Sequence, residues 1–155
     1  MPDFSLYYDE AYKILLAAAI GAVIGLERDS RSKAAGFRTM ILICVGSCVF
    51  TILSRSIGGH SDDRIAAQIV TGIGFLGGGV IFKEGLTISG LTTAALIWIT
   101  AAIGMAIGYE NFIATALVSG IVCLVLFILE PIQQFVNRFY RVKDYRIKVE
   151  SNYYD

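Results

Sequence analysis

Charge, histidine and cysteine are all scarce in this chain, and each shortage removes a class of function. Only 17% of the 155 residues are charged, against 55% hydrophobic, well to the apolar side of ordinary globular usage. The 13 basic and 13 acidic residues cancel to a net charge of +0, and no basic face carries periodic aromatics, so no nucleic-acid partner is expected. The lone histidine, His60, falls in a loop beside Gly58 and Gly59, where solvent exposure outweighs a pH-sensing role. No nucleophile, base and orienting group stand together, so no enzyme is expected. Cys44 and Cys48 lie one helical turn apart, but two thiols without a further Cys or His are an incomplete metal ligand set. They read, like Cys123, as small packing hydrophobes, and neither a metal nor another cofactor is expected. The acidic, aromatic N-terminus lacks the basic region of a cleavable export signal, so the first apolar stretch is expected to be retained.

What the sequence does contain is five apolar, glycine-studded stretches: Ile14 to Leu26, Thr39 to Leu53, Ile65 to Phe82, Leu91 to Gly108 and Phe112 to Leu129. Each approaches the roughly 20 helical residues that cross a hydrocarbon core of about 30 Å. The expected fold is an all-α integral membrane bundle of about five transmembrane helices over residues 1–130. Ten of the 13 Lys and Arg gather after the first, third and fifth stretches, at Arg28 to Arg38, at Lys83 and at Arg138 to Lys148. By the positive-inside rule those connections are cytoplasmic, which gives an N-out, C-in topology. The first stretch is short, so Asp9, Glu10 and Lys13 belong at the interface. There Asp9 and Lys13 pair at i,i+4, Lys13 snorkels outward, and Tyr7, Tyr8 and Tyr12 anchor.

Helix ends carry their own signals. Ser61 with Asp62 and Asp63, Ser89, and Asn111 are expected to cap the third, fourth and fifth helices, and Pro131 ends the fifth. Over 131–141, Ile132, Phe135, Val136 and Phe139 recur at helical spacing opposite polar residues, the pattern of a cytoplasmic interfacial helix. Over 142–155, Tyr145, Ile147 and Val149 alternate with Arg146, Lys148 and Glu150, which reads as one strand. A single strand does not fold alone, so it opens a further domain or pairs with another protomer.

The glycines form stripes. Ala17, Gly21 and Gly25; Gly74 and Gly78; and Thr100, Gly104 and Gly108 each repeat every fourth residue, the spacing at which helix backbones approach closely in lipid. Tight packing inside one chain is the expectation, with homodimerisation or a higher homo-oligomer through one stripe as the alternative. Gly72 to Gly77 matches the spacing of a dinucleotide-binding loop, but it sits inside an apolar span rather than between a strand and a helix, so nucleotide binding is rejected. Dense glycine at Gly77 to Gly79 does imply a weak or unwound helix end.

The constellation of greatest interest is polar. Glu27 and Arg28, Arg38 and Thr39, Lys83 and Glu84, and Thr92 and Thr93 stand at four helix ends on one level. Ionisable groups near hydrocarbon are costly unless paired and are functional candidates. The structural alternative is a set of ion pairs, Glu27 with Arg38 and Lys83 with Glu84 or its neighbours. Arg64, Gln68 and Thr71 form a second polar group on the third helix, explicable by interhelical hydrogen bonds.

Three blocks, Gly21-Ala22-Val23-Ile24-Gly25-Leu26-Glu27-Arg28, Ala35-Gly36-Phe37-Arg38-Thr39 and the long run Arg64 to Ile81, are followed by Lys83-Glu84-Gly85 and Gly90 to Ala95. In this order and spacing they resemble the MgtC/SapB membrane family over about residues 14 to 130. The resemblance implies a bacterial inner-membrane protein associated with growth in low magnesium and with virulence. Some members of that family inhibit the F-type ATP synthase rather than move magnesium. It also implies that Glu27, Arg28, Arg38, Arg64, Gln68, Lys83, Glu84, Thr92 and Thr93 occupy the family's polar positions. Ser89, where many members are basic, and Leu96, where many have Thr, depart from that pattern. Many members continue into a cytoplasmic ACT-like α/β domain, whose first strand would fall at 142–155. An ion channel or transporter for Mg2+ or another cation is the alternative function, although a magnesium path usually offers several carboxylates.

Overall fold

The computed structural model describes residues 4–57, 62–129 and 132, with side chains at 4–7, 57 and 62–64 left aside. The expected interfacial helix and strand beyond 132, the Ser61 cap with its two aspartates, His60 and the side chains of Tyr7 and Arg64 therefore lie outside the described residues.

Among the described residues the fold has five helices: α1 (Phe4–Ser30), α2 (Phe37–Ile57), α3 (Asp62–Gly78), α4 (Leu91–Gly108) and α5 (Phe112–Leu124), the last running on as a π-helical turn over Val125–Leu129. Three segments among the described residues, Phe37–Ser56, Leu91–Gly108 and Phe112–Leu129, are long and apolar enough to cross a membrane, with mean hydropathies of 1.9, 1.8 and 2.8. In α1 the apolar run is flanked by Asp9, Glu10 and Lys13 at one end and Glu27 to Asp29 at the other, and the apolar part of α3, Ile65–Gly78, is shorter.

Helix ends follow local chemistry. Ser32, at φ 52°, closes α1: its own N–H donates to the Asp29 carbonyl and that of Lys33 to Arg28, the paired bonds of a Schellman motif. Glu110, at φ 62°, closes α4 in the same way through its own N–H to Ile107 and that of Asn111 to Ala106. Asn111 then caps α5, its side-chain oxygen accepting from the Ala114 N–H at 3.1 Å.

Between α3 and α4 the chain departs from the expected continuous span. Helix α3 stops at Gly78, four residues before Phe82, and a two-stranded antiparallel hairpin follows, β1 (Phe82–Glu84) against β2 (Thr87–Ser89). Glycine weakens the end of α3, and Gly85 at φ 59° opens a two-residue turn of the kind that hairpins select. Ser89 accordingly sits in β2, its hydroxyl 3.4 Å from the Phe82 carbonyl, and does not cap α4. That position belongs to Gly90 at φ 90°, where an added β-carbon would overlap the Val80 carbonyl oxygen.

The core is built on α2, which packs against both α1 and α4, while α3 lies against α4 with a lighter contact to α2. Two small-residue stripes make this possible. A β-carbon on Gly21 would fall 2.8 Å from the Met40 carbonyl oxygen, and one on Gly25 2.7 Å from Phe37 Cα. Further along the same face of α2, one on Gly104 would overlap the Cys44 carbonyl oxygen and one on Gly108 would lie 2.6 Å from Thr51 Cβ. Backbones this close leave room for hydrogen alone. Ala17, Met40, Cys44, Cys48 and Ile107 are fully buried around these contacts. The Gly74 and Gly78 stripe is different: an added β-carbon at either meets nothing within 4 Å, so the expectation of packing within the chain is corrected there. Helix α3 turns this face away from α4.

Candidate functional site

The candidate polar residues separate into a buried group and an exposed group. Arg28, near the end of α1, is 2% exposed, and its Nη2 donates to the Thr93 hydroxyl of α4 at 3.1 Å. Its Nη1 lies 3.9 Å from Glu27 Oε2. Glu27, 4% exposed, is held by Arg31 one turn further along, just past the end of α1, Nε to Oε1 at 2.5 Å. The expected pairing of Glu27 with Arg38 is corrected. Arg38 is exposed on α2, and the carboxylate is met by Arg28 and by Arg31 in the turn that closes α1, which i,i+4 spacing brings over it.

The remaining members stand apart. Thr39 and Thr92 are exposed. Lys83 and Glu84 lie on β1, which is exposed throughout, and among the described residues neither has an ion-pair partner. The expected Lys83 lock is therefore corrected too: the hairpin carries both side chains off the bundle. On α3 the Thr71 hydroxyl donates to its own helix, to the Ala67 carbonyl at 3.0 Å, and Gln68 is exposed toward α2. Neither makes the interhelical bond expected of it.

At the opposite end of the bundle is a charge network that the sequence pattern shows only in part. Lys13, 5% exposed, lies 2.6 Å from Asp9 Oδ2 and 2.7 Å from Glu110 Oε1, and Arg55 Nη1 reaches the same Glu110 oxygen at 2.6 Å. The Asp9 and Lys13 pair follows the i,i+4 rule. The Lys13 ammonium is held between the Asp9 and Glu110 carboxylates, both partly exposed at this end of the bundle. Hydrogen bonds from Lys13 and then from Arg55 hold the Glu110 carboxyl below the usual carboxylate range. The one signal for Glu110 in the sequence is its being the acid in the α4–α5 turn. Tyr12 of the aromatic anchor packs edge-on against Phe112, ring centres 6.4 Å apart.

A groove of about 760 Å3 separates α2 from α3, with Ile97 of α4 at its floor. Thr39, Leu42, Gly46, Ser47 and Phe50 line one wall, and Ile65, Gln68, Gly72 and Leu76 the other.

Apolar helices of spanning length, joined by close glycine contacts and locked by a buried arginine, define a helical membrane protein. The MgtC family profile matches residues 14–135, and the chain belongs to the MgtC family. Protein MgtC of Salmonella typhimurium is 40% identical over 137 residues, 86% of this chain and 58% of its own length. Protein MgtC of Brucella abortus is 43% identical over 119 residues, 76% and 50%. An uncharacterised protein of Synechocystis is 43% identical over 126 residues, 81% and 54%. The chain thus spans about half the length of the curated relatives it matches. No solved structure matches it.

Proposed function

We propose that this chain is the membrane-embedded part of a multi-pass regulatory protein of the bacterial inner membrane, with five spans, N-out and C-in. It is not an enzyme. It supports growth in low magnesium and virulence by acting on a membrane protein partner, the F-type ATP synthase being the partner that the family resemblance puts forward. Membership of the MgtC family and the alternation of basic and acidic connections support the reading.

The single observation that carries it is the separation of charge at one end of the bundle. Glu27 and Arg28 are buried in a lock between α1 and α4, whereas Lys83 and Glu84 stand exposed on the hairpin. An ionisable pair displayed beside apolar Phe82, Leu86 and Ile88, all exposed, is suited to contacting a partner near the membrane surface.

Glu84→Gln tests the proposal, because an amide keeps volume while removing charge and an exposed position leaves the fold undisturbed. The expected result is loss of the low-magnesium growth phenotype at wild-type abundance. Wild-type growth at wild-type abundance in Glu84→Gln and Lys83→Gln would overturn it. Cation flux in proteoliposomes, abolished by the same changes, would favour a channel or transporter instead.

A further inference from the structure

We propose that the groove between α2 and α3 is a binding site for one anionic phospholipid, with an acyl chain along the groove and the headgroup at Arg38. The inference rests on the chain being a membrane protein and on no particular partner.

Three observations converge. The groove opens sideways, where a bilayer surrounds a spanning bundle, and Leu42, Phe50 and Leu76 on its walls are 70%, 57% and 52% exposed. Along α2 it runs from Thr39 to Phe50, about 16 Å at the helical rise, which matches the depth of one leaflet, half of a core of about 30 Å. A charge stands beside its Thr39 end. Arg38 does not itself line the groove, but it precedes Thr39 and lies one turn before Leu42, is exposed, and among the described residues has no carboxylate partner. A guanidinium binds phosphate through two parallel N–H donors. Thr39, exposed at the same mouth, adds a hydroxyl. A zwitterionic lipid would offer the same chain and a phosphate, but no net charge for Arg38 to neutralise.

The walls also allow a clean test. Gly46 and Gly72 both line the groove, and an added β-carbon at either meets nothing within 4 Å, so a leucine at each starts in open space and takes up groove volume. Native mass spectrometry of the full chain, released from micelles doped with phosphatidylglycerol or phosphatidylcholine, reads the number of lipids retained. The wild-type protein is expected to retain one phosphatidylglycerol in preference to phosphatidylcholine. Arg38→Gln should lower that preference about fivefold, the factor one basic side chain contributes at an anionic surface, and Arg38→Lys should restore most of it. Gly46→Leu with Gly72→Leu should reduce retention of both lipids. Equal retention of the two lipids by wild type, or retention unchanged in the leucine variant, overturns the proposal. So does a dimer that Gln68→Leu dissociates while lipid retention stays nil, the result if a second copy seated against Gln68 fills the groove. Growth in low magnesium is not read in any arm, so failure here leaves the regulatory reading standing.

Discussion

Helix α2 meets its two neighbours on the core side by opposite means from its neighbour across the groove. Against α1 and α4 it is pressed backbone to backbone, with Gly21, Gly25, Gly104 and Gly108 at distances that exclude any side chain. Facing α3 it leaves Gly46 open, and α3 answers with an open Gly72. The same residue type at similar spacing therefore marks a seam in one place and a vacant wall in another. Spacing gives the capacity for close approach; whether a partner helix arrives depends on where the connecting segments deliver it.

The comparison is broken most severely by removing the lock that joins α1 to α4. Arg28→Met should destabilise the protein by about 3–5 kcal/mol, because Glu27 loses one of its cations in a buried setting, whereas Arg38→Gln on the groove side should leave thermal stability in detergent within about 0.5 kcal/mol of wild type. Equal losses in the two variants would erase the distinction between buried and exposed arginine.

A smaller effect separates the glycines. Gly104→Leu should lower stability by about 1–3 kcal/mol or more, since the new side chain must push α4 off the Cys44 carbonyl. Gly74→Leu, with open space before it, should change monomer stability by no more than about 0.5 kcal/mol. A melting temperature lowered as much by Gly74→Leu as by Gly104→Leu would show that α3 is packed on that face.

The smallest effect belongs to the network at the other end. Glu110 has a folded-state carboxyl held below its ordinary value of 4.5 by Lys13 and Arg55, so the charged form is favoured by folding. Its contribution is complete above the ordinary value and is lost as pH falls through the lower folded value. With a side chain 43% exposed, the contribution is modest. Acid melts below about pH 4.5 should show a shallower loss of stability in Glu110→Gln than in wild type. Parallel curves would remove Glu110 from the network.

Local features of the molecule are legible in its residues. The apolar runs locate the helices because burying backbone in lipid demands internal hydrogen bonds, and the Asn111 cap and the Asp9 and Lys13 pair are decided within four residues. Pairings across helices are not legible in the same way. Glu27 stands level with Arg38 when the helix ends are set side by side, yet Arg31, four residues on in the turn that closes α1, reaches it first. Lys83 and Glu84 read as a helix terminus, but the glycines before them end α3 early and Gly85 turns the chain into a hairpin.

The sequence by itself determined that the chain is helical and membrane-embedded, where its apolar helical runs lie, though α1 starts at Phe4, well before Ile14, and its membership of the MgtC family, because each follows from local composition, periodicity or matched spacing. Only the tertiary structure decided which glycines are seams, that Arg28 and not Arg38 joins the core, that Glu110 gathers Lys13 and Arg55, and that α2 and α3 stand apart around a groove. Those outcomes depend on the rotation and separation of helices far apart in sequence, which are fixed by the sum of all contacts on each helix and by no short motif within it.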